Sequence, residues 1–538
     1  MERAFGFGCE VGQHGRVRTE RVRSWWGWGW EDAAIGEAER AGLLARLPPH
    51  WVAEEMPVPR VADLELRAPR VNAPESVRPI CTVHPHVRAA HTYGKAYRDV
   101  IRALRGDLGV APDVVAYPET EAQIVELLDW AGDANVAVIP YGGGSSVVGG
   151  IEYRGDVHAG VLSLDLTRMD RVLEVDRTSR AALIQAGALG PVLESQLAPH
   201  GYTLRHFPQS FEFSTLGGWL ATRAGGHFAM RHTHIDDFVE ALRVVSPSGI
   251  SQTRRLPASG AGPSPDRLFL GSEGTLGVIT QAWVRLQDRP VHKASRAVSF
   301  GDFGAGLDAV RAIAQSGLDP SNCRLLDEAE AAINAGRVDG RAVLVLGFES
   351  ADHPVDSALV RALEIAAEHG GSVDAKSTQD SVGDWRTAFV RMPYVRDALA
   401  RSGVIVETFE TACTWDAALR VCDEIREGVR AATAEICGEP GIITGRVTHV
   451  YPDGVAPYFT VIARSRRDGE VQMWDQIKAA ASDILSGLGA SITHHHAVGR
   501  DHLRWYEAQR PDPYGEVLRA AKNSLDPRGV LNPGVLFA

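Results

Sequence analysis

Cysteine is scarce and scattered. The six in 538 residues, Cys9, Cys81, Cys323, Cys413, Cys422 and Cys437, form no CxxC pair. That excludes a disulfide scaffold or a zinc ribbon, and the thiols read as reduced and mostly buried. Positive charge is also in deficit. Lys and Arg number 56 against 68 Asp and Glu, a formal net charge of −12, which is a poor footprint for nucleic acid and sets that partner aside. No apolar run approaches the length that spans a bilayer. The start, MERAFGFGCEVGQHGRVRTERVR, has no apolar core of the signal-peptide kind. The expected place is the cytoplasm. Internal repeats and low-complexity tracts are missing as well.

What remains is an ordinary globular composition, 44% hydrophobic and 23% charged. A single core rarely grows past about 250–300 residues, so two or three domains are expected. Glycine is in excess, 55 residues, and the excess is clustered, which points to backbone–ligand contact. Residues 1–22 read as a loose leader. Arg23-Ser-Trp-Trp-Gly-Trp-Gly-Trp30 follows. Its tryptophans read as an aromatic plug on a domain surface, with a peripheral membrane contact as the alternative.

From Asp113 the pattern sharpens. Val114–Pro118 reads as a strand. Thr120 and Gln123 form a capping box, and Ile124, Leu127, Leu128 and Ala131 repeat at helical spacing. Val136–Pro140 is a second buried strand, running into Tyr141-Gly-Gly-Gly-Ser-Ser146. Strand, helix, strand and glycine loop make an α/β nucleotide-binding layout. The loop is neither GxGxxG nor a P-loop. Its glycines allow close approach and its amides can form an anion nest. Strands at Val161–Leu166 and Val172–Val175 follow. From about residue 295, helices such as Leu307–Ala314 and Ser357–His369 alternate with strands such as Ala342–Phe348 and Tyr458–Ile462. A C-terminal helix ends near Asp526-Pro527.

Two further segments are dense in small and hydroxyl residues. One is Pro208-Gln-Ser-Phe-Glu-Phe-Ser-Thr-Leu-Gly-Gly-Trp219, continuing to Thr222-Arg-Ala-Gly-Gly226; the other is Gly271-Ser-Glu-Gly-Thr-Leu-Gly-Val-Ile279. Each is weak alone, but their order and distances make a strong set. Together they resemble the PCMH-type FAD-binding domain of the vanillyl-alcohol-oxidase superfamily. Within it, the chain is similar to the alkyldihydroxyacetonephosphate synthase family. The similarity runs through Trp26-Gly-Trp-Gly29, Glu212–Ala224, Gly271–Thr280, Glu407-Thr-Phe-Glu-Thr-Ala412 and His494-His-His-Ala-Val-Gly499. It covers nearly the whole chain from about residue 22.

The resemblance implies an α+β fold: a PCMH-type FAD-binding domain with a separate α+β cap domain. The expected division is an N-terminal segment at 1–109, the FAD domain at 110–290, the cap at 291–480, and a C-terminal segment at 481–538 returning to the active site. It implies FAD contacts from Pro140, Tyr141, Gly142, Gly143, Gly144, Ser145 and Ser146, and from Gln209, Ser210, Phe211, Glu212, Phe213, Ser214 and Thr215. Thr222, Arg223, Ala224 and Gly225, with Glu273, Gly274, Thr275, Leu276, Gly277, Val278 and Ile279, complete the set. The family usually carries Asp where this chain has Gln209, one charge fewer near the cofactor. Members that attach FAD covalently often use a His in the first loop. Ser145 and Ser146 stand there, so a non-covalent flavin is expected.

By the same resemblance Arg324 is important for activity, Arg396 binds substrate, Tyr458 gives and takes a proton, and His494, His495 and His496 form a histidine cluster. A phenol with an ordinary pKa of about 10 needs adjacent positive charge, from Arg or His⁺, to act as a base near neutrality. Read as a strand, consecutive histidines alternate faces, which argues against a converging zinc cage, and no metal is expected. His227, His232 and His234 read as loop polar residues. The implied reaction takes a lipid phosphate: the acyl chain of acyl-dihydroxyacetone phosphate is exchanged for a fatty alcohol. The alternative is an FAD-dependent dehydrogenase or oxidase of a D-2-hydroxy acid or alcohol, a small-molecule substrate. Members of that group tend to carry Glu-His-Gly where this chain has His494-His-His-Ala. The oligomeric state is left open, with a homodimer as one option.

Overall fold

The computed structural model describes residues 21–228, 230, 233–335, 337, 339–373 and 381–537. The expected leader, up to residue 20, and His232 lie outside the described residues.

The nucleotide-binding layout is built as its local signals dictate. The Thr120 side chain accepts from the Gln123 N–H and starts the helix Glu121–Asp133, which buries Ile124, Leu127, Leu128 and Ala131. That face packs on a four-stranded sheet in the order Cys81–Thr82, Val114–Ala116, Gly160–Asp165, Val136–Tyr141. The last three strands are parallel. Strand Val136–Tyr141 ends at the glycine loop, so the sheet delivers that loop at the C-terminal edge of a parallel strand, where open α/β sheets bind ligands.

A second sheet, antiparallel, runs Val172–Asp176, Ala181–Gln185, Val278–Arg285, Val239–Ser246, Gly249–Gln252. It carries the two other glycine segments at its ends. The helix Leu216–Thr222 starts where the Thr215 side chain accepts from the Gly218 N–H. Strand Val278–Arg285 leaves directly from the Gly274–Gly277 turn.

The third sheet is large and antiparallel. Its path is Ser372–Val373, His292–Phe300, Ala342–Ser350, Asn322–Leu326, Ile442–Val450, Gly454–Arg464, Val404–Glu410, with Cys413–Thr414 also pairing 454–464. Helices Phe303–Ala314, Asp356–Glu368, Ala418–Cys437 and Glu470–Gly487 bury apolar faces that join one core with it. Strand 454–464 is buried at all but its last residue, as expected for a strand covered on both faces.

Two flanking segments close the molecule. The Trp-rich segment is a plug: Trp25 and Trp28 are buried, and Trp28 and Trp30 meet Phe213 edge-on at 5.6 and 5.3 Å. Its glycines make room for helix Ser381–Arg401, since a Cβ at Gly29 would lie 2.0 Å from Tyr394 Oη. At the other end, after helix Asp512–Leu525, the chain returns to the parallel sheet. There Val138 N–H donates to Val530 O and Asn532 N–H to Val138 O, both at 2.8 Å. No described helix is long and apolar enough to cross a membrane.

Candidate active site

The three glycine segments and the cap sheet enclose one cleft, with a cavity volume of about 300 Å³. Its floor is Pro140–Ser146, with Gln209, Ser210, Ser214, Thr215, Thr222, Ala224 and Gly225 on one flank and Glu273, Gly274, Gly277, Val278 and Ile279 on the other. The far wall holds Arg324, Arg396, Tyr458, His495 and His496. The structure therefore brings together most residues that the sequence singled out.

Seven do not line the cleft. Phe211 stacks on Trp219 with ring centroids 6.2 Å apart. Glu212 accepts from Trp30 Nε1 at 2.5 Å, and Phe213 is the anvil of the Trp plug. Arg223 is a left-handed helix end, φ +52°, paired with Asp236 at 2.7 Å. Thr275 donates to the Ser272 carbonyl at 2.7 Å, and Leu276 is core. His494 sits behind His495. These side chains hold the walls in place.

The floor suits an anion. The N–H groups of Gly143, Gly144, Ser145 and Ser146 donate to no protein acceptor among the described residues. Backbone donors near a cleft are rarely left without a partner, and successive free amides make a nest for phosphate oxygens. Gly143 is needed for a different reason than room for the ligand. A Cβ there would lie 1.6 Å from the Phe213 carbonyl oxygen, so the absent side chain is what lets the first and second segments touch. Amide donors, hydroxyls and a long cleft with an apolar flank are the donor set that a dinucleotide flavin requires.

The histidines are not on a strand, contrary to expectation. They occupy a loop between helices Glu470–Gly487 and Leu503–Gln509, wrapped around a buried carboxylate. Glu410 accepts from the N–H of His494, of His495 at 3.0 Å and of His496 at 2.8 Å, and from Thr493 Oγ1 at 2.7 Å. The loop's far end is held by Glu273, which accepts from the N–H of Val498 at 3.0 Å and of Gly499 at 2.9 Å.

The two carboxylates sit in opposite electrostatic settings. Burial opposes ionisation of Glu410, but the three histidines and Thr493 outweigh it and hold the carboxyl far below its ordinary value. Burial prevails at Glu273 and pushes it up to about 7, against the two N–H donors.

Burial also lowers every imidazole of the cluster: His494 to about 4, His495 and His449 well below the usual value, and His496 in the same direction. The imidazoles are thus neutral near pH 7, so of the two expected sources of charge beside Tyr458, Arg or His⁺, it is not His⁺. That cation is Arg446, whose guanidinium lies 4.1 Å over the phenol ring. Burial still raises the Tyr458 pKa, opposed by Arg446 and by a hydrogen bond with Thr408. The resting phenol is protonated.

His449, His494 and His495 bring nitrogens within 4.8 Å of one another, a spacing a metal could use. All of their nitrogens but His495 Nε2 already have partners among the described residues. His449 contacts Gly226 O at 2.8 Å and Thr448 Oγ1 at 2.9 Å, and His494 meets His495 Nδ1 at 3.0 Å and Tyr451 Oη at 2.7 Å. The trio is a hydrogen-bonded imidazole network.

Arg324 is fully buried and lies 3.4 Å from His227 Nδ1, and burial lowers its pKa well below the ordinary value. Arg396 places its fork on Asp397 Oδ1, at 3.0 and 2.7 Å. The second Asp397 oxygen takes the Trp28 N–H at 2.5 Å, so the Trp plug fixes the helix that carries Arg396. Glu410, Arg446, His449, Tyr451 and His234 were not singled out for the site from the sequence. The Pro452-Asp-Gly454 turn marks a hairpin between two apolar runs, which pairs the stretch around Arg446 with Tyr458 but does not single out Arg446 itself.

Two family models match. One, the FAD binding domain, covers residues 112–253, and the other, the C-terminal domain of FAD linked oxidases, covers 289–536. With the cleft between them, they define the class: a flavoenzyme whose cofactor is FAD. The Dictyostelium discoideum alkyldihydroxyacetonephosphate synthase is 31% identical over 84% of this chain and 77% of its own length. The Caenorhabditis elegans enzyme of the same name is 28% identical over 95% and 94%. A solved structure of an alkyldihydroxyacetonephosphate synthase superposes with a TM-score of 0.81 at 27% identity, covering 95% of this chain and 98% of the other. The chain belongs to the alkyldihydroxyacetonephosphate synthase family.

Proposed function

We propose that this protein makes an ether lipid precursor: it exchanges the acyl chain of acyl-dihydroxyacetone phosphate for a fatty alcohol, releasing the carboxylate with no net redox change. One observation carries the reading. Tyr458, Arg446, Arg324 and the neutral imidazoles of His495 and His496 line the same cleft as the amide-rich floor. Bound FAD supplies an electrophilic ring nitrogen for the ketone-derived substrate. The chain supplies placement and proton transfer. Tyr458 carries the proton that leaves and returns at substrate C1. Its resting proton passes first to an imidazole, and Arg446 stabilises the phenolate that then accepts from C1. Arg324 and Arg396 line the cleft wall as the residues for the phosphate, Arg396 with its Nε and Nη2 held by Asp397.

FAD is held without a covalent bond, because Ser145 and Ser146 cannot form the histidyl link. Acid precipitation should leave the yellow colour in the supernatant. The reaction is tested by anaerobic mixing with acyl-dihydroxyacetone phosphate and a labelled fatty alcohol. Labelled ether should form while the flavin ends oxidised. No ether, with bleaching by a D-2-hydroxy acid, would overturn the reading in favour of an oxidoreductase.

A further inference from the structure

Behind Tyr458 the imidazoles continue away from the cleft. His495 lines the cleft, with its ring 6.1 Å from that of Tyr458 and nearly parallel to it. Its Nδ1 meets His494 Nδ1 at 3.0 Å, which leaves Nε2 for the cleft. His494 continues from its other nitrogen: Nε2 meets Tyr451 Oη at 2.7 Å and His234 Nε2 at 3.2 Å. His234 and Tyr451 are both half-buried, and His234 Nδ1 reaches the carbonyl of the exposed Arg223 at 3.3 Å. His494 is entered at one nitrogen and left at the other, as a relay requires, and His495 keeps its second nitrogen on the cleft side.

We infer that His495, His494, Tyr451 and His234 form a proton path from the cleft to solvent, with Tyr451 and His234 as its outer gate. The inference builds on the proposed function, in which the Tyr458 proton passes to an imidazole. A proton accepted at His495 Nε2 is balanced by one released from Nδ1 to His494 Nδ1. His494 in turn releases one from Nε2 to Tyr451 Oη or His234 Nε2, and thence to water. The return follows the same atoms in reverse. The transient imidazolium has its counter-charge in place: Glu410 lies 3.9 Å from His495 Nδ1. Asp237, Glu410 and Asp453 act on Tyr451 through their charges. The buried cleft thus exchanges protons without opening to bulk water.

The test uses the FAD-loaded enzyme and the double variant Tyr451→Phe, His234→Gln, both positions outside the cleft. Turnover in water and in D2O is compared with wild type. In parallel, the flavin is photoreduced without substrate in weakly buffered solution, and proton uptake is followed with a pH-indicator dye. The variant should slow both by on the order of tenfold to a hundredfold and raise the solvent isotope effect, with FAD content unchanged. Turnover and dye kinetics equal to wild type would overturn the path. If the double variant fails to hold FAD, His494→Gly decides: recovery of dye kinetics by added imidazole supports the path, and no recovery overturns it. A wild type that makes no ether defeats the proposed function alone, because the dye measurement needs no substrate.

Discussion

Two loops face each other across the cleft and use their backbones in opposite ways. In the glycine loop the amides of residues 143–146 meet no acceptor among the described residues, and the side chains are only those of Ser145 and Ser146. The histidine loop at 494–499 spends its amides on Glu410 and Glu273 and presents imidazoles. The first is shaped to receive oxygen atoms from outside the protein. The second is held by oxygen atoms of the protein itself, so that its side chains stay aimed in a region buried enough to keep them neutral at rest. A ligand-binding loop and a chemistry-bearing loop therefore differ in where their hydrogen bonds end.

The largest expected effect falls on the first loop. Gly143→Val puts carbon into the Phe213 carbonyl and separates the two segments that shape the floor. Purified protein should be colourless, and an FAD absorbance equal to wild type would show that the close approach is dispensable. Next comes the wall opposite. Tyr458→Phe removes only the hydroxyl and should lower kcat by about 10²–10⁴, the usual worth of a positioned acid–base group, with FAD content and thermal unfolding unchanged. Glu410→Gln keeps the volume but swaps an acceptor for an N–H₂ against consecutive N–H donors. It should cost about 10–100-fold in turnover, equivalent to losing a buried hydrogen bond or two at about 1–3 kcal/mol, while the flavin spectrum stays normal.

A smaller effect separates the two carboxylates. Glu273 has a raised folded pKa, so its contribution to stability is full below the unfolded carboxylate value and is lost as pH rises through about 7. Glu410 has a depressed pKa, so its contribution is present above the unfolded value and is lost only as pH falls below it. Urea unfolding at pH 5 and pH 8 should therefore show wild type losing stability at pH 8 relative to Glu273→Gln. The gap to Glu410→Gln should be nearly flat over the same window. The smallest effect is at the plug. Gly29→Ala, at φ +67° and against Tyr394, should destabilise by about 1 kcal/mol or more and raise KM through the helix that bears Arg396.

The glycine loop was legible because its causes are local. A capping box, a buried strand and three glycines lie within some thirty residues, and propensity and packing agree there. The histidine loop was misread as a strand because what shapes it is Glu410, 84 to 86 positions away, and nothing in His-His-His announces a carboxylate behind it. Arg446 illustrates a finer limit. Counting back from the hairpin turn, where Val450 faces Val455, would set Val447 opposite Tyr458. A bulge between Val447 and His449 shifts the register by one and puts Arg446 there instead. The tryptophans read as a plug, and Trp25 and Trp28 are buried, but nothing in the sequence announces that the segment fixes Asp397, and through it the neighbouring arginine.

The return of the chain to strand Val136–Tyr141 has a consequence for the order of events during synthesis. Asn532 Nδ2 donates to Gly150 O, 382 positions earlier in the chain, at 3.0 Å and to the Glu273 carbonyl at 2.7 Å. It pins the first and third glycine segments to each other. A ribosome that has made only the two large domains holds a flavin site with its edge strand unpaired and this clasp missing. Cofactor capture is thereby tied to the synthesis of residues 530–532, and a chain cut short before residue 530 should emerge without colour, however much of the cap has folded.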